Sequence, residues 1–247
     1  SSNPASVVVG LEAFPNLEPS FNLDEDAQWV QELCFASLLS PNPDGSFSNE
    51  LALSVEIQDN TAFIITLKED LKFSDGSPLR APDVVRAYRE ALRMNSAESN
   101  PRGPTSVIQS IEALGPKRVV FHLKEPFAPF LSLATLGISK VSQTGGLRLA
   151  SGPYAIEEIL EDQQILLKRN PHGVGPSPEA ESVLFKVIPD ESKRVVELKN
   201  GQIDVVQNGL TLDILPSIQG DPGLEVKQIP NSSFSYVALN FHNPYLA

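Results

Sequence analysis

Cysteine, methionine and tryptophan occur once each in 247 residues, and basic side chains are in the minority: 19 Lys and Arg against 31 Asp and Glu, a formal net charge of −12. A single thiol closes no internal disulfide, and no Cys/His cluster has zinc spacing, so neither a crosslink nor a metal is expected to hold the fold. The acidic balance excludes a dedicated nucleic-acid or anionic-membrane binder, since either needs a basic face to displace counterions. No apolar run approaches the ~18 residues of a membrane span. Residues Ser1 to Ser6 carry neither the basic nor the apolar region of an export signal. What is plentiful is proline: 21 residues, about 8.5% against an average of about 5%. Prolines end strands and helices, so many short elements joined by shaped loops are expected. The 41% apolar content is enough to bury a core.

Ser6 to Leu11 is a β-branched run of the kind found in sheets covered on both faces. A helix is predicted from Asn22, paired with Glu25 in a capping-box pattern, to about Leu39, with Val30, Leu33, Cys34 and Leu38 on its apolar face and Asp26 and Gln31 pointing elsewhere. Cys34 reads as a small buried hydrophobe. Beyond the turn cluster Pro41 to Ser46 the pattern changes to hairpins: 53–57 with 62–67 across Asp59-Asn60, then 107–114 with 118–123 across Gly115-Pro116. Between them Phe73 to Pro78 is a turn, and Pro82 opens a helix to about Met94 on Val84, Val85, Tyr88, Ala91 and Leu92. A short helix or irregular segment follows in 127–136, and a loop at 143–146. A third hairpin joins 154–159 to 164–169. The clearest pattern is βαβ: strand 183–188, a helix after Pro189-Asp190 with Val195, Val196 and Leu198 as its apolar residues, a stop at Gly201, and strand 203–206. An amphipathic piece (210–218) and strands near 224–229 and 235–241 complete the chain. The fold class is mixed α/β, with hairpins concentrated in 43–149.

The polar residues assemble no catalytic site. His122, His172 and His242 lack metal spacing, Asp24 and Asp26 lack the remainder of a calcium loop, Gln143 to Gly146 lacks the Lys-Ser/Thr of a phosphate loop, and no serine sits in a Gly-x-Ser-x-Gly elbow. This favours binding over catalysis, with no cofactor and no metal.

Several stretches resemble the amino-terminal half of the extracellular solute-binding proteins of ABC importers, in the large dipeptide/oligopeptide/nickel class (family 5). Leu17-Glu18-Pro19 is similar to that family's hydrophobic-acid-Pro loop, and Phe35 to Leu39 to its FEGL segment. Leu67 to Pro78, with Phe73-Ser74-Asp75-Gly76, resembles the LR.gvkFsDGtp stretch, and Ala81 to Val84 continues it. Ser151-Gly152-Pro153-Tyr154 resembles GTGPY, Leu198 to Asp204 resembles L.sGeiD, and Tyr236 to Asn240 the strand leading to a second lobe. Two departures stand out. Arg80 replaces the Thr or Ser that caps the helix at Pro82, which predicts a start weaker by up to about 1 kcal/mol. The resemblance also stops before the segment that would cross into the second lobe.

The resemblance implies a type II periplasmic-binding-protein-like first lobe with a mixed sheet. Residues 1–42 and 150–247 would form its α/β subdomain, 43–149 an inserted hairpin-rich subdomain, and the second lobe is expected to be absent from this chain. It further implies a monomeric receptor in the periplasm or on the cell's outer face, its signal peptide removed, which binds a small solute and delivers it to an ABC permease. Peptide is the commonest ligand of the class. Nickel chelates, haem and sugars remain alternatives, as does a ligand-sensing module on the same fold. The ligand-facing residues implied are Phe14, Asn16 and Glu18 after the first strand, with Gly152 and Tyr154.

Overall fold

The computed structural model describes residues 6–19, 21, 25–94, 104–142, 147–207 and 209–227. In chain order these form β1 (Ser6–Leu11), α1 (Glu25–Cys34), β2 (Leu39–Pro41), β3 (Phe47–Asn49), β4 (Ala52–Gln58), β5 (Ala62–Leu67), α2 (Ala81–Met94), β6 (Ile108–Leu114), β7 (Arg118–Leu123), α3 (Phe130–Leu133), β8 (Lys140–Val141) and β9 (Arg148–Leu149). Then come β10 (Tyr154–Leu160), β11 (Gln164–Arg169), β12 (Ser182–Val187), α4 (Glu191–Lys199), β13 (Val205–Val206) and α5 (Leu215–Gln219). The chain divides into two compact units, Ser1–Leu210 and Thr211–Ala247. In the second, Pro216 stands in the first turn of α5, where its missing N–H costs nothing.

Turn chemistry fixes the hairpins. Asp59 and Asn60 both take positive φ, 50° and 55°, so the β4–β5 link has the left-handed pair that matches strand twist. Gly115 (φ 74°) and Asp162 (φ 59°) serve the β6–β7 and β10–β11 links. The first two hairpins combine into an antiparallel sheet of order β4-β5-β7-β6. Phe63, Ile65, Leu67, Val119, Phe121 and Leu123 alternate inward from it onto α2 and α3, forming one core. Tyr88 of α2 lies edge-on to Phe121 at 4.9 Å and donates its hydroxyl to the Leu133 carbonyl at 2.8 Å.

The third hairpin joins the βαβ unit in a mixed sheet of order β10-β11-β12-β1-β13. Here β1 runs parallel to both β12 and β13, with Val9 opposite Phe185 on one side and Val205 on the other. A second core of Val9, Leu11, Val30, Cys34, Ile165, Leu167 and Phe185 lies against this sheet. The crossover helix α4 begins at Asp190, whose side chain accepts from the Lys193 N–H, and is followed by Gly201 at φ 65°.

The structure departs from the sequence reading at several places. α1 ends at Cys34, not Leu39, because the backbone of 36–39 is claimed by other segments: Ile138 N donates to Ala36 O (2.9 Å), Leu51 N to Ser37 O (3.0 Å) and Leu39 N to Ala134 O (3.0 Å). On α4 the buried residues are Arg194, Val195 and Glu197, whereas Val196 is 54% exposed. Residues Leu224 to Lys227 form no strand. The weak start expected of α2 is repaired by its neighbours. Asp83 accepts from the Arg80 N–H (3.0 Å), the Ala81 N–H donates to the Pro116 carbonyl (2.8 Å), and Pro82 has no N–H to satisfy. Asn22, Gln143 to Gly146 and Tyr236 to Asn240 lie outside the described residues.

Two expectations follow. Asp83→Ala removes the cap and lowers stability by about 1 kcal/mol in urea titration, whereas Arg80→Ser gains little because its hydroxyl finds only an N–H that is already bonded. Cys34 is fully buried and desolvation pushes its thiol pKa far up. Its contribution to stability is therefore complete below the unfolded value of about 8.5 and declines as pH rises above it, where only the unfolded chain sheds the proton. At pH 8 a thiol reagent should leave the native chain unmodified and label it once denaturant unfolds it.

Candidate functional site

In open α/β sheets the crevice beyond the carboxyl ends of the parallel strands is where ligands bind. In this chain that edge is formed by the exits of β12, β1 and β13. β1 leads directly into the loop carrying Phe14, Asn16 and Glu18. Phe14 is half-buried and, with Leu17, packs on the second core, which turns the loop back over the sheet. Asn16 Oδ1 accepts from the Glu18 N–H at 2.9 Å, an Asx turn.

The loop is held from beneath by Gln31 of α1. Its Nε2 donates to the Asn16 carbonyl (2.9 Å) and the Glu18 carbonyl (3.0 Å), and the residue is 4% exposed. The sequence reading pointed Gln31 away from the apolar face; it turns inward because the loop supplies two carbonyls for its amide. The signal was a lone amide at helical spacing beside Val30 and Cys34, which periodicity scores as solvent-facing.

Glu18 is half-exposed, and its Oε1 accepts from Arg148 Nη2 at 3.2 Å. Arg148, whose side chain is 15% exposed, also donates to Ser139 Oγ (3.1 Å) and lies 3.7 Å from the Glu90 carboxylate on α2. One guanidinium thus serves two carboxylates, and the site carries residual negative charge at its rim. Arg148 was absent from the sequence reading because its partners lie far along the chain.

Gly152 and Tyr154 occupy different surroundings from the loop. Gly152 N donates to the Cys34 carbonyl at 2.8 Å, and a Cβ there would lie 2.8 Å from that carbonyl carbon. Asn170 Nδ2 donates to the Gly152 carbonyl. Tyr154 is 5% exposed on β10, the outer strand of the mixed sheet, with its hydroxyl donating to Ala180 O at 3.0 Å; burial pushes its phenol pKa up. Both residues are engaged in packing.

Among the described residues no group of three or more His, Cys, Asp or Glu is placed to hold a metal. His122 pairs with Glu112 at 3.0 Å on the exposed face of the four-stranded sheet, and His172 lies beside Gly76. A groove of about 390 Å³ runs between α2 and β6, lined by Arg86, Arg89, Arg93 and Glu112. Its arginines are spoken for: Arg86 pairs with Asp83, Arg89 donates to the Ile111 carbonyl and Arg93 to the Arg89 carbonyl. The groove is a sheet edge blunted by charge.

The same fold recurs in solved structures. NikZ from Campylobacter jejuni in complex with Ni(L-His) superposes with a TM-score of 0.75 at 23% identity, over 88% of this chain and 46% of that one. AppA from Bacillus subtilis in complex with a nonapeptide gives 0.69 at 26% identity, over 80% and 43%. The chain belongs to the bacterial extracellular solute-binding proteins, family 5, whose Middle region matches residues 46–247. Among curated relatives, the probable D,D-dipeptide-binding periplasmic protein DdpA of Escherichia coli is 28% identical, over 95% of this chain and 49% of DdpA. The chain spans about half the length of the relatives it matches.

Gly152→Ala should destabilise the chain by about 1–3 kcal/mol, since backbone rather than a yielding side chain meets the new methyl. A drop in urea midpoint at unchanged slope is the expected reading.

Proposed function

We propose that this chain is the first lobe of a solute receptor for an ABC importer. The observation that carries this reading is the loop at the exit of β1, held by Gln31 at the carboxyl edge of the parallel strands with Asn16 and Glu18 facing outward. The mixed sheet, in the α/β subdomain expected over residues 1–42 and 150–247, and the hairpin sheet within 43–149 serve as its two subdomains. A second lobe would close over this edge and bury the solute between the two. Peptide is the ligand class we favour, because DdpA and AppA, at 28% and 26–27% identity, are named for or solved with peptides. The receptor acts outside the cytoplasmic membrane as a monomer, hands its solute to a permease and performs no covalent chemistry. Phe14, Asn16 and Glu18 contribute to the contact surface; Gly152 and Tyr154 support it from within the core.

Isothermal titration calorimetry of the full-length parent protein and of this chain, each with trialanine and with nickel(II)-histidine, tests the proposal. If half the binding surface comes from each lobe, a Kd of about 1 μM in the parent rises to about 1 mM in the single lobe. Glu18→Gln should weaken binding by the parent about tenfold, the effect of removing one charge-assisted hydrogen bond, whereas Tyr154→Phe should leave it unchanged. Micromolar binding by the single lobe, or binding of the nickel chelate but not the peptide, would sink the reading as stated.

A further inference from the structure

The largest fully buried side chain among the described residues is a cation, Arg194. It rises from the first turn of α4 and ends at the carboxyl edge of the parallel strands. Nη1 donates to the Ile188 carbonyl at 2.6 Å and the Pro189 carbonyl at 3.0 Å, just past the end of β12. Nη2 donates to the Gly209 carbonyl at 2.6 Å, beyond β13, and lies 3.9 Å from Oε2 of Glu12, the first residue after β1. All three strand exits therefore converge on one guanidinium. A planar fork with five donors can meet several carbonyls in different directions, which an ammonium on a flexible stem cannot.

The surroundings are shaped to admit it. A Cβ on Gly10, the penultimate residue of β1, would lie 2.8 Å from Ile203 Cδ1, and the Arg194 stem passes beside it at ordinary contact distance, 3.7 Å at Cδ. Gly209, at φ 60°, would bring a Cβ to 2.9 Å from Glu12 Oε2 and 3.3 Å from Arg194 Nη2. Glu12 is well exposed, so its carboxylate offsets the buried charge without sealing it from water.

We infer that Arg194 is a positioning residue: it sets the loop that follows β1 against the segment around Gly209, one residue before the first unit ends at Leu210. The inference rests on the reading of that loop as ligand-facing only for its functional weight; the clamp itself is independent of any ligand. In a receptor of this kind, Arg194 would hold the contact loop and the segment around Gly209 in one register.

Hydrogen exchange read by mass spectrometry on the ligand-free chain tests the clamp, with Arg194→Met, Arg194→Lys and, as a control, Val196→Gly. The control loosens α4 at an exposed position without touching the guanidinium. Arg194→Met should raise exchange about tenfold or more in residues 12–19 and around Gly209 while leaving β4 to β7 unchanged, the behaviour of a local opening. Arg194→Lys should fall between, and it decides the matter should Arg194→Met give no cooperative unfolding transition. Val196→Gly should affect α4 alone. Unchanged exchange in both arginine variants, equal loosening of the two segments by Val196→Gly, or loss of folding in both arginine variants would overturn the inference. The calorimetric result with peptide can come out either way without altering this one.

Discussion

A backbone that passes between two hydrophobic cores carries its N–H and C=O groups with it, and each must find a partner where water is excluded. In this chain that passage is the stretch from Cys34 to Leu39, and the structure on both sides depends on how it is satisfied. Cys34 and Phe35 belong to the core of the mixed sheet, and Ala36, Leu38 and Leu39 to that of the four-stranded sheet. The Cys34 carbonyl accepts from both Ser151 N (3.1 Å) and Gly152 N (2.8 Å). The wholly buried Ser151 hydroxyl accepts from Ala36 N at 3.0 Å and donates to Ile138 O at 2.6 Å. Ser37 gives both its N–H and its hydroxyl to Glu50 Oε2, each at 2.7 Å. Three segments distant in sequence are thus crossed at one point, and the close approach leaves no room for a Cβ at Gly137 or Gly152.

That crossing also explains what the sequence could and could not reveal. Hairpin turns were legible because Asp59-Asn60 and Gly115 solve a local backbone problem with local chemistry, and the βαβ unit because Asp190 and Gly201 mark both ends of its helix. The end of α1 was not legible. Phe35 to Leu39 continues an apolar helical pattern, and only the distant carbonyls and N–H groups of 51, 134 and 138 pull it into extended form. The resemblance of Ser151 to Tyr154 to a family motif identified the fold, yet the role of its serine and glycine is to satisfy and clear this passage.

The site shows the same division. Its loop could be placed from β1 and the Leu17-Glu18-Pro19 resemblance, but the residues that hold it could not. Gln31, Arg148 and Arg194 are polar residues at positions where periodicity expects solvent or indifference, and each is drawn inward by carbonyls or carboxylates that other parts of the chain supply. Burial of such groups is decided by where unpaired acceptors lie, a property of the assembled fold rather than of any window of sequence.

In the proposed receptor, the anchoring of the loop after β1 bears on how it would recognise a ligand. Gln31 fixes its backbone at Asn16 and Glu18, and Arg194 lies against its first residue, so little conformational freedom remains to be lost when a solute binds. Under that constraint a change of ligand is most readily made by exchanging outward side chains on an unchanged frame. NikZ and AppA share this fold at identities of 23% and 26%, and one is solved with Ni(L-His) and the other with a nonapeptide. The anchors are therefore the wrong place to look for ligand identity. On the proposed reading, the outward positions on the loop, together with whatever a second lobe would present across from them, are where the chemistry of the solute would be read.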